Sequence, residues 1–259
     1  MKKSILLVNY GCSTKEQFNK IIIDLVTILE KKYSDYNISY AFLSKFMRNK
    51  LLEKENIYVD LIDEKIQKLK QDSTTHIIIQ PILVVPGSEF NKIENIALRE
   101  SSIVNIKIGK TLLHNKEGFR EVDILMKNYT STTLDHNQSI VLMGHGSADS
   151  SQKMYIDYKE YIKNKNDKIY FGTLEAKPDI EDIIIDLQKD SINEVHLHPF
   201  LFGCGVHTIK DMLGENNNSW KSKLEQAGIK VIGHGKGISE YDTYIELMVD
   251  KINALVTDY

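Results

Sequence analysis

The sequence predicts an α/β protein made of two similar halves. Each half is expected to be a mainly four-stranded parallel sheet flanked by helices, in the Rossmann-like or flavodoxin-like manner. Three observations predict it. Short Ile- and Val-rich runs alternate with longer segments whose apolar residues recur at helical spacing, which is the pattern of parallel strands covered on both faces. The series of elements runs through twice. Motifs of the first passage return, in order, in the second.

In the first passage, Ser4–Val8 is an apolar strand, closed by a turn at Gly11 and Ser13. From Lys15 to Lys32, Phe18, Ile21, Ile22, Leu25, Ile28 and Leu29 fall on one helical face. Ile38–Leu43 follows as a strand, and Val59–Lys70 as a helix with Ile62, Ile66 and Leu69 in register. His76–Val85 is the third strand, Phe90–Arg99 a helix, Val104–Leu113 the fourth strand and Phe119–Met126 a helix. In the second passage the strands are Ser139–Met143, Lys168–Leu174, Glu194–Phe202 and Ile229–Gly233. The helices are Gln152–Lys163, Asp179–Lys189, Val206–Leu213 and Tyr241–Leu255, with Pro178 at a helix start. The segment from Ser4 to Gly11 resembles that from Ser139 to Gly146, and His76–Gly87 resembles Glu194–Gly205 with Pro81 opposite Pro199. Gly109-Lys110 returns as Gly235-Lys236. The polar stretch Thr130–Gln138 marks the junction, giving halves 1–133 and 134–259.

The composition bounds the function. The chain has 259 residues, 42% of them hydrophobic and 27% charged, and a net charge of -3. That is a globular balance with no basic excess for nucleic acid. Cys12 and Cys204 form no CxxC pair, and no apolar run approaches the ~20 residues of a membrane span. The N-terminal segment lacks a secretory apolar core and cleavage site. A cytoplasmic protein with no membrane or nucleic-acid partner is the expectation.

Ligands of open parallel sheets bind beyond the carboxyl ends of the strands, and a duplicated protein offers a cleft between its halves. Four places there carry reactive groups. Gly144-His145-Gly146-Ser147 follows the fifth strand, its glycines leaving the imidazole unobstructed. Glu175 ends the sixth strand, where it could equally serve as a helix-start carboxylate. His207, after Gly203-Cys204-Gly205-Val206, opens a helix; it could be structural, or chelate with Cys204 as a C-x-x-H pair. Glu89 is the counterpart of His207 in the repeat, as Tyr10 is of His145, so imidazoles are concentrated in the second half. His196 and His198 share one face of the seventh strand and read as core or cavity wall. Gly233-His234-Gly235-Lys236-Gly237 lacks the strand–GxGxxG–helix context of a nucleotide loop. Two imidazoles and one carboxylate suit a borderline divalent ion such as Co2+, Fe2+, Ni2+ or Zn2+.

With these residues in view, the sequence resembles the anaerobic class II sirohydrochlorin cobaltochelatases of the CbiK type, relatives of the ferrochelatases. The likeness spans essentially the whole chain. It rests on Leu7–Ser13, Gln80-Pro81 with Pro86–Phe90, Gly144–Ser147, Gly172–Glu175, and His207 with Asp211-Met212 and Ser219-Trp220-Lys221. The first turn reads Tyr10-Gly11-Cys12-Ser13 where the family more often has Phe-Gly-Thr-Ser, and Gly-Cys-Gly-Val precedes His207 in place of an acidic sequence.

The resemblance implies a chelatase-like fold, and a lyase that inserts Co2+ into the tetrapyrrole sirohydrochlorin on the oxygen-independent route to cobalamin. Co2+ is then a substrate, and no organic cofactor is implied. It assigns metal binding and catalysis to His145, Glu175 and His207. Tyr10, Gly11, Ser13, Glu89 and Ser147 are the candidates for binding the macrocycle. Backbone N–H groups at Gly11–Ser13 and Gly146-Ser147 would receive its carboxylates, with Lys45, Arg48 and Lys177 as further candidates otherwise read as solvated charge. A ferrochelatase and a non-enzymatic tetrapyrrole or metal carrier are the competing readings. Homo-oligomerisation is left open.

Overall fold

A computed structural model describes residues 2–129 and 134–256. The chain forms two compact units, Met1–His114 with Ile245–Tyr259, and Asn115–Tyr244. Each holds one four-stranded parallel sheet. No helix is long and apolar enough to cross a membrane.

In the first unit β1 (Lys2–Asn9), β2 (Tyr36–Phe42), β3 (Thr74–Ile82) and β4 (Asn105–Ile108) lie in the order β2-β1-β3-β4. β1 is buried from Ser4 to Asn9, as a strand covered on both faces must be. Leu6, Val8, Ala41, Ile77 and Ile79 form one face. Ile62, Ile66 and Leu69 of the helix Ile62–Gln71, and Ile93 and Ala97 of the helix Ser88–Glu100, close over it. The expected helix over 15–32 forms with a π-helical segment, Asn19–Ile23, inside it.

The second unit repeats the plan. β5 (Gln138–Gly144), β6 (Ile169–Thr173), β7 (Glu194–Pro199) and β8 (Lys230–Gly233) lie in the order β6-β5-β7-β8, so both sheets share one topology. Val141, Met143, Tyr170, Val195 and Leu197 face Ile180, Ile183 and Leu187 of the helix Ile180–Lys189, and Trp220 and Leu224 of the helix Trp220–Gln226. The opposite face is aromatic. Phe171 and Phe200 pack on Tyr158 of the helix Gln152–Lys165, with ring centroids 5.5 Å away in each case.

The units divide earlier than polarity suggests. The helices Lys116–Glu121 and Asp123–Tyr129 stay with the second unit because Phe119 stacks against Tyr158 and Tyr161, and Asn128 bonds Thr243. From Ile245 onward the helix Asp242–Val256 belongs to the first unit, where the Tyr33 hydroxyl lies 2.6 Å from Asn253 and Lys251 donates to the Thr111 carbonyl. The expected junction at 133/134 falls at residues 130–133, outside the described residues.

Three expected strands are shorter than their apolar runs; the third ends at Ile82, short of Val85, and the fourth and seventh also stop early. Beyond Ile108 the chain keeps single bonds from Gly109, Leu112 and Leu113 to the β3 side, without a ladder. β7 stops at Pro199, so Phe200–Phe202 are not strand. Pro178 precedes the Asp179 cap of the next helix and is not its first residue. Two helices lay hidden in the sequence, Lys45–Glu55 capped by Ser44 and Trp220–Gln226 capped by Ser219.

Candidate active site

Each unit presents side chains at the carboxyl ends of its strands, and the backbone builds the same scaffold twice. In the second unit the loop after β6 continues the ladder past β5. Leu174 N–H donates to the Gly144 carbonyl at 3.0 Å, and Glu175 N–H to the His145 carbonyl at 2.9 Å. In the first unit Leu43 N–H donates to Asn9 and Ser44 N–H to Tyr10, both at 3.0 Å. His145 therefore matches Tyr10, as the repeat predicts, and Glu175 matches Ser44, which the sequence did not reveal.

His145 leaves β5 into solvent between two glycines that have no room for a side chain. A Cβ on Gly144 would sit 3.0 Å from the Phe171 ring. Gly146 has φ +87, and a Cβ there would meet Thr173 at 3.0 Å. Gly11 holds the corresponding place after β1, with φ +129, and a Cβ there would come within 2.6 Å of Met47 Cβ.

His207 opens the π-helix His207–Met212, in which Leu213 N–H reaches back to the Thr208 carbonyl at 3.0 Å. Wide turns of this kind recur at functional sites. The fold brings its ring beside that of His145. The centroids are 4.9 Å apart and the planes perpendicular, at 89°.

Hydrogen bonds fix the tautomer of both rings. His145 Nδ1 lies 3.1 Å from the Gly146 carbonyl, and His207 Nδ1 lies 2.8 Å from Asp211 Oδ2. A carbonyl and a carboxylate can only accept, so each Nδ1 carries the proton. In the neutral ring Nε2 then keeps its lone pair. Metal-ligating histidines are oriented in the same way, by a carboxylate or carbonyl on the far nitrogen.

Glu175 joins this pair through its backbone. Its carboxylate is exposed, with no hydrogen bond or ion pair among the described residues. It is not gathered with both imidazoles into a tight three-donor cluster. Among the described residues only His196, His198 and His234 form such a group, with one donor nitrogen from each within 4.8 Å of the others.

The Cys204–His207 chelate does not form. The Cys204 thiol donates to the Gly235 carbonyl, and burial together with the Glu240 charge pushes it up to about 12, so it stays protonated.

The other candidates divide by unit. In the second, the Ser147 N–H is already donated to Gln152 Oε1 at 2.8 Å and its hydroxyl to Asp149 at 2.9 Å, so neither is free for a substrate carboxylate. Lys177 pairs with Asp179 and Asp182. In the first, Tyr10 is exposed and Ser13 half-buried. Arg48 is buried against Glu64 at 2.9 Å and is structural. Glu89 sits in the first turn of the helix Ser88–Glu100. Burial works to raise its carboxyl, but the Ser88 hydroxyl and the Lys92 ammonium outweigh it and hold it lowered.

Sequence reasoning missed Asp211 as the partner of His207, though its spacing of one helical turn was a signal. It also missed His234 as the companion of His196 and His198, because the glycines around it suggested a loop of another kind.

A parallel α/β scaffold that presents two oriented imidazoles beyond the ends of its strands suits a metal-handling protein of the chelatase kind. Comparison with known proteins identifies which. The chain belongs to the cobalt chelatase (CbiK) family, whose model matches residues 3–257. The sirohydrochlorin cobaltochelatase CbiKC of Nitratidesulfovibrio vulgaris is 23% identical over 259 residues, covering 99% of this chain and 91% of that protein. The sirohydrochlorin cobaltochelatase of Salmonella typhimurium is 25% identical over 241 residues, covering 93% and 91%. The structure of SirB from Bacillus subtilis with Fe3+ shares the fold at TM-score 0.65 and 19% identity, covering 98% of this chain and 95% of that one.

Proposed function

We propose that this protein is a sirohydrochlorin cobaltochelatase, inserting Co2+ into sirohydrochlorin with loss of two protons. The observation that carries this reading is the His145–His207 pair, whose two rings are fixed by their Nδ1 bonds with both Nε2 lone pairs unspent. The names of the family relatives supply the macrocycle and the ion.

Metalation exchanges two pyrrole N–H protons for one divalent ion. His207, held by Asp211, is the ligand that receives the ion. His145 is ligand first and base after: its one available lone pair, on Nε2, holds the ion and takes up a pyrrole proton once the ion has passed to the macrocycle, while the second proton goes to Glu175. Glu175, its backbone tied to His145, offsets the charge of the ion and passes protons to water. Two imidazoles with an exposed carboxylate leave coordination positions open, which suits an ion that must depart into a macrocycle. Tyr10 and Glu89 are assigned to the substrate side by their equivalence to His145 and His207, and Gly11 and Ser13 by their place beside Tyr10.

The test is spectrophotometric. Sirohydrochlorin is mixed with limiting protein, and Co2+, Fe2+ and Ni2+ are compared in parallel. Multiple turnovers with Co2+ ranked first are expected. A single stoichiometric event would mean a carrier, and Fe2+ ranked first a ferrochelatase. His145→Ala and His207→Ala are each expected to lower the rate by about 10²- to 10⁴-fold with the fold retained. Near-native turnover in either variant refutes the assignment.

A further inference from the structure

The second unit holds another group of imidazoles, apart from the candidate pair. His196 and His198 point from one face of β7, alternating with Val195 and Leu197, which face the opposite core. In register they stand beside Ile140 and Leu142 of β5. His234 follows β8, and its N–H donates to the Leu197 carbonyl at 2.9 Å, which draws it alongside β7. Two of the side chains come from within β7 and the third from the residue after the adjacent strand β8, and they converge on one another.

We propose that His196, His198 and His234 form a second metal site, which binds one borderline divalent ion such as Co2+, Ni2+ or Zn2+ through three imidazole nitrogens.

Four observations support it. The first is distance. One nitrogen from each ring lies within 4.8 Å of the other two, and His196 Nδ1 and His234 Nε2 are 3.0 Å apart. A tetrahedral ion with bonds of ~2.1 Å sets its donors about 3.4 Å apart, so two of the three are already within that span. The third, on His198, must turn out of its stack on His234 to complete the set.

The second is an unpaired donor. His198 is 6% exposed, and its buried Nδ1 has no hydrogen-bond partner. A buried polar atom left in that state costs roughly 1–3 kcal/mol. An ion would satisfy it.

The third is protonation. The rings of His198 and His234 stack with centroids 3.9 Å apart and planes 4° from parallel, an arrangement closed to two imidazolium ions. Burial, and then the neighbouring imidazoles, lower His198 to about 3 and lower His234 as well. A neutral imidazole keeps one nitrogen lone pair available to an ion.

The fourth is the surroundings. Tyr129 packs edge-on against His198 at 5.2 Å, and its hydroxyl is engaged with the Pro199 carbonyl. No carboxylate is among the three donors, so the site suits ions that favour imidazole and disfavours Mg2+ and Ca2+, which take oxygen.

Binding needs no oxidant and no net proton release. Between His196 Nδ1 and His234 Nε2 one ring donates a proton to the other. On binding, the donor ring moves that proton to its other nitrogen through solvent, and both facing lone pairs turn to the ion.

The site is tested without any turnover, so its failure is separable from failure of the chelatase reading. The protein carrying His145→Ala and His207→Ala is dialysed against Co2+ and, separately, Zn2+, with Mg2+ as control. One equivalent of Co2+ with the absorption bands of an imidazole-ligated ion is expected, together with a Co2+-dependent rise in thermal midpoint and no response to Mg2+. Adding His234→Gln, a half-buried position at a strand end, is expected to weaken binding at least about tenfold and abolish the thermal shift, with far-UV circular dichroism reporting the fold. Imidazole NMR of the double variant during Zn2+ titration reads the site with its trio intact, and three perturbed histidines are expected. Absence of bound ion in the double variant, binding unchanged by His234→Gln, or imidazole signals unmoved by Zn2+ would each overturn the proposal.

Discussion

Asp211 offers the sharpest test of how the candidate site works, because its contribution to stability and its contribution to function are separable. Asp211→Asn keeps the shape of the side chain but removes its charge and its single-minded role as acceptor. In the native chain the 2.8 Å bond from His207 Nδ1 places the proton on that nitrogen, and in the neutral ring this leaves Nε2 as the acceptor. An amide can turn either its oxygen or its NH2 toward the ring, so it specifies neither tautomer. The two side chains are 42% and 40% exposed, and an exposed i,i+4 pair contributes only about 0.3–0.5 kcal/mol to stability. A charge-assisted hydrogen bond discounted for that exposure favours the productive tautomer by ~1 kcal/mol, about fivefold in population. Loss of such a partner at metal ligands costs between 10- and 100-fold in affinity or activity as a typical range. The expected result is a kcat/KM for Co2+ reduced by about 5- to 100-fold, with a urea midpoint almost unmoved. The two assays are initial-rate metalation across a Co2+ series and equilibrium unfolding. A variant that unfolds earlier but turns over normally would show that Asp211 merely braces the π-helix, and would refute the tautomer argument.

Other outcomes follow from single contacts. Gly146→Ala forces a methyl into a φ of +87 and within 3.0 Å of Thr173; a loss of about 1–3 kcal/mol on urea unfolding is expected, along with impaired metalation as His145 shifts. Asp179→Ala removes a side chain that accepts from Glu181 and Asp182 N–H groups at the start of the helix Ile180–Lys189; a cost of ~1 kcal/mol is expected by the same measurement, with turnover unchanged. Burial pushes both Cys12 and Cys204 up to about 12, and Glu240 adds to the effect at Cys204. Both thiols are thus protonated at neutral pH, and thiolate appears only as pH climbs toward that value. A thiol-specific chromogenic reagent at pH 7.5 should find neither in the native protein and two in denaturant; rapid native labelling would contradict this.

The alternation of elements was legible because parallel strands covered on both faces must be apolar almost throughout, as β1 and β5 are. The helix Ile62–Gln71 announced itself by Ile62, Ile66 and Leu69 on one stripe. The helix Lys45–Glu55 did not, since it buries only Arg48 and Leu51 and its cap, Ser44, is a common residue. Strand ends are overread where an apolar run outlasts its strand: Phe200 is fully buried and its N–H still donates to the Met143 carbonyl, yet it lies beyond the end of β7 at Pro199 and packs among Tyr158 and Phe171. His145 and His207 could be chosen from their places after strands. Their mutual approach, and the role of Asp211, belong to three-dimensional packing and a π-helical turn that spacing does not encode. His198 reads in sequence as a wall residue, and it is buried as a wall residue is. Only His234, drawn in by one backbone bond, changes what it can do.

The duplicated scaffold explains why the reactive groups could diverge without disturbing the fold. Each unit closes its first two strands with the same pair of backbone bonds, Leu43 and Ser44 to Asn9 and Tyr10 in one, Leu174 and Glu175 to Gly144 and His145 in the other. Each follows with a glycine at positive φ, Gly11 or Gly146. These contacts use backbone groups only, so the side chains at Tyr10, Ser44, His145 and Glu175 are free of structural duty in the ladder. The third position, in the helical segment after the third strand, is Glu89 in one unit and His207 in the other. One unit therefore carries His, Glu and His, and its twin carries Tyr, Ser and Glu, on matching supports. Imidazole nitrogens are donors for a borderline ion, whereas phenol, hydroxyl and carboxylate are hydrogen-bonding groups. A chemistry that must hold a metal and a polar macrocycle at once needs both sets. On the proposed function, a symmetric protein would have two metal-binding halves and no half suited to the substrate, an outcome that the different side chains on these matching supports avoid.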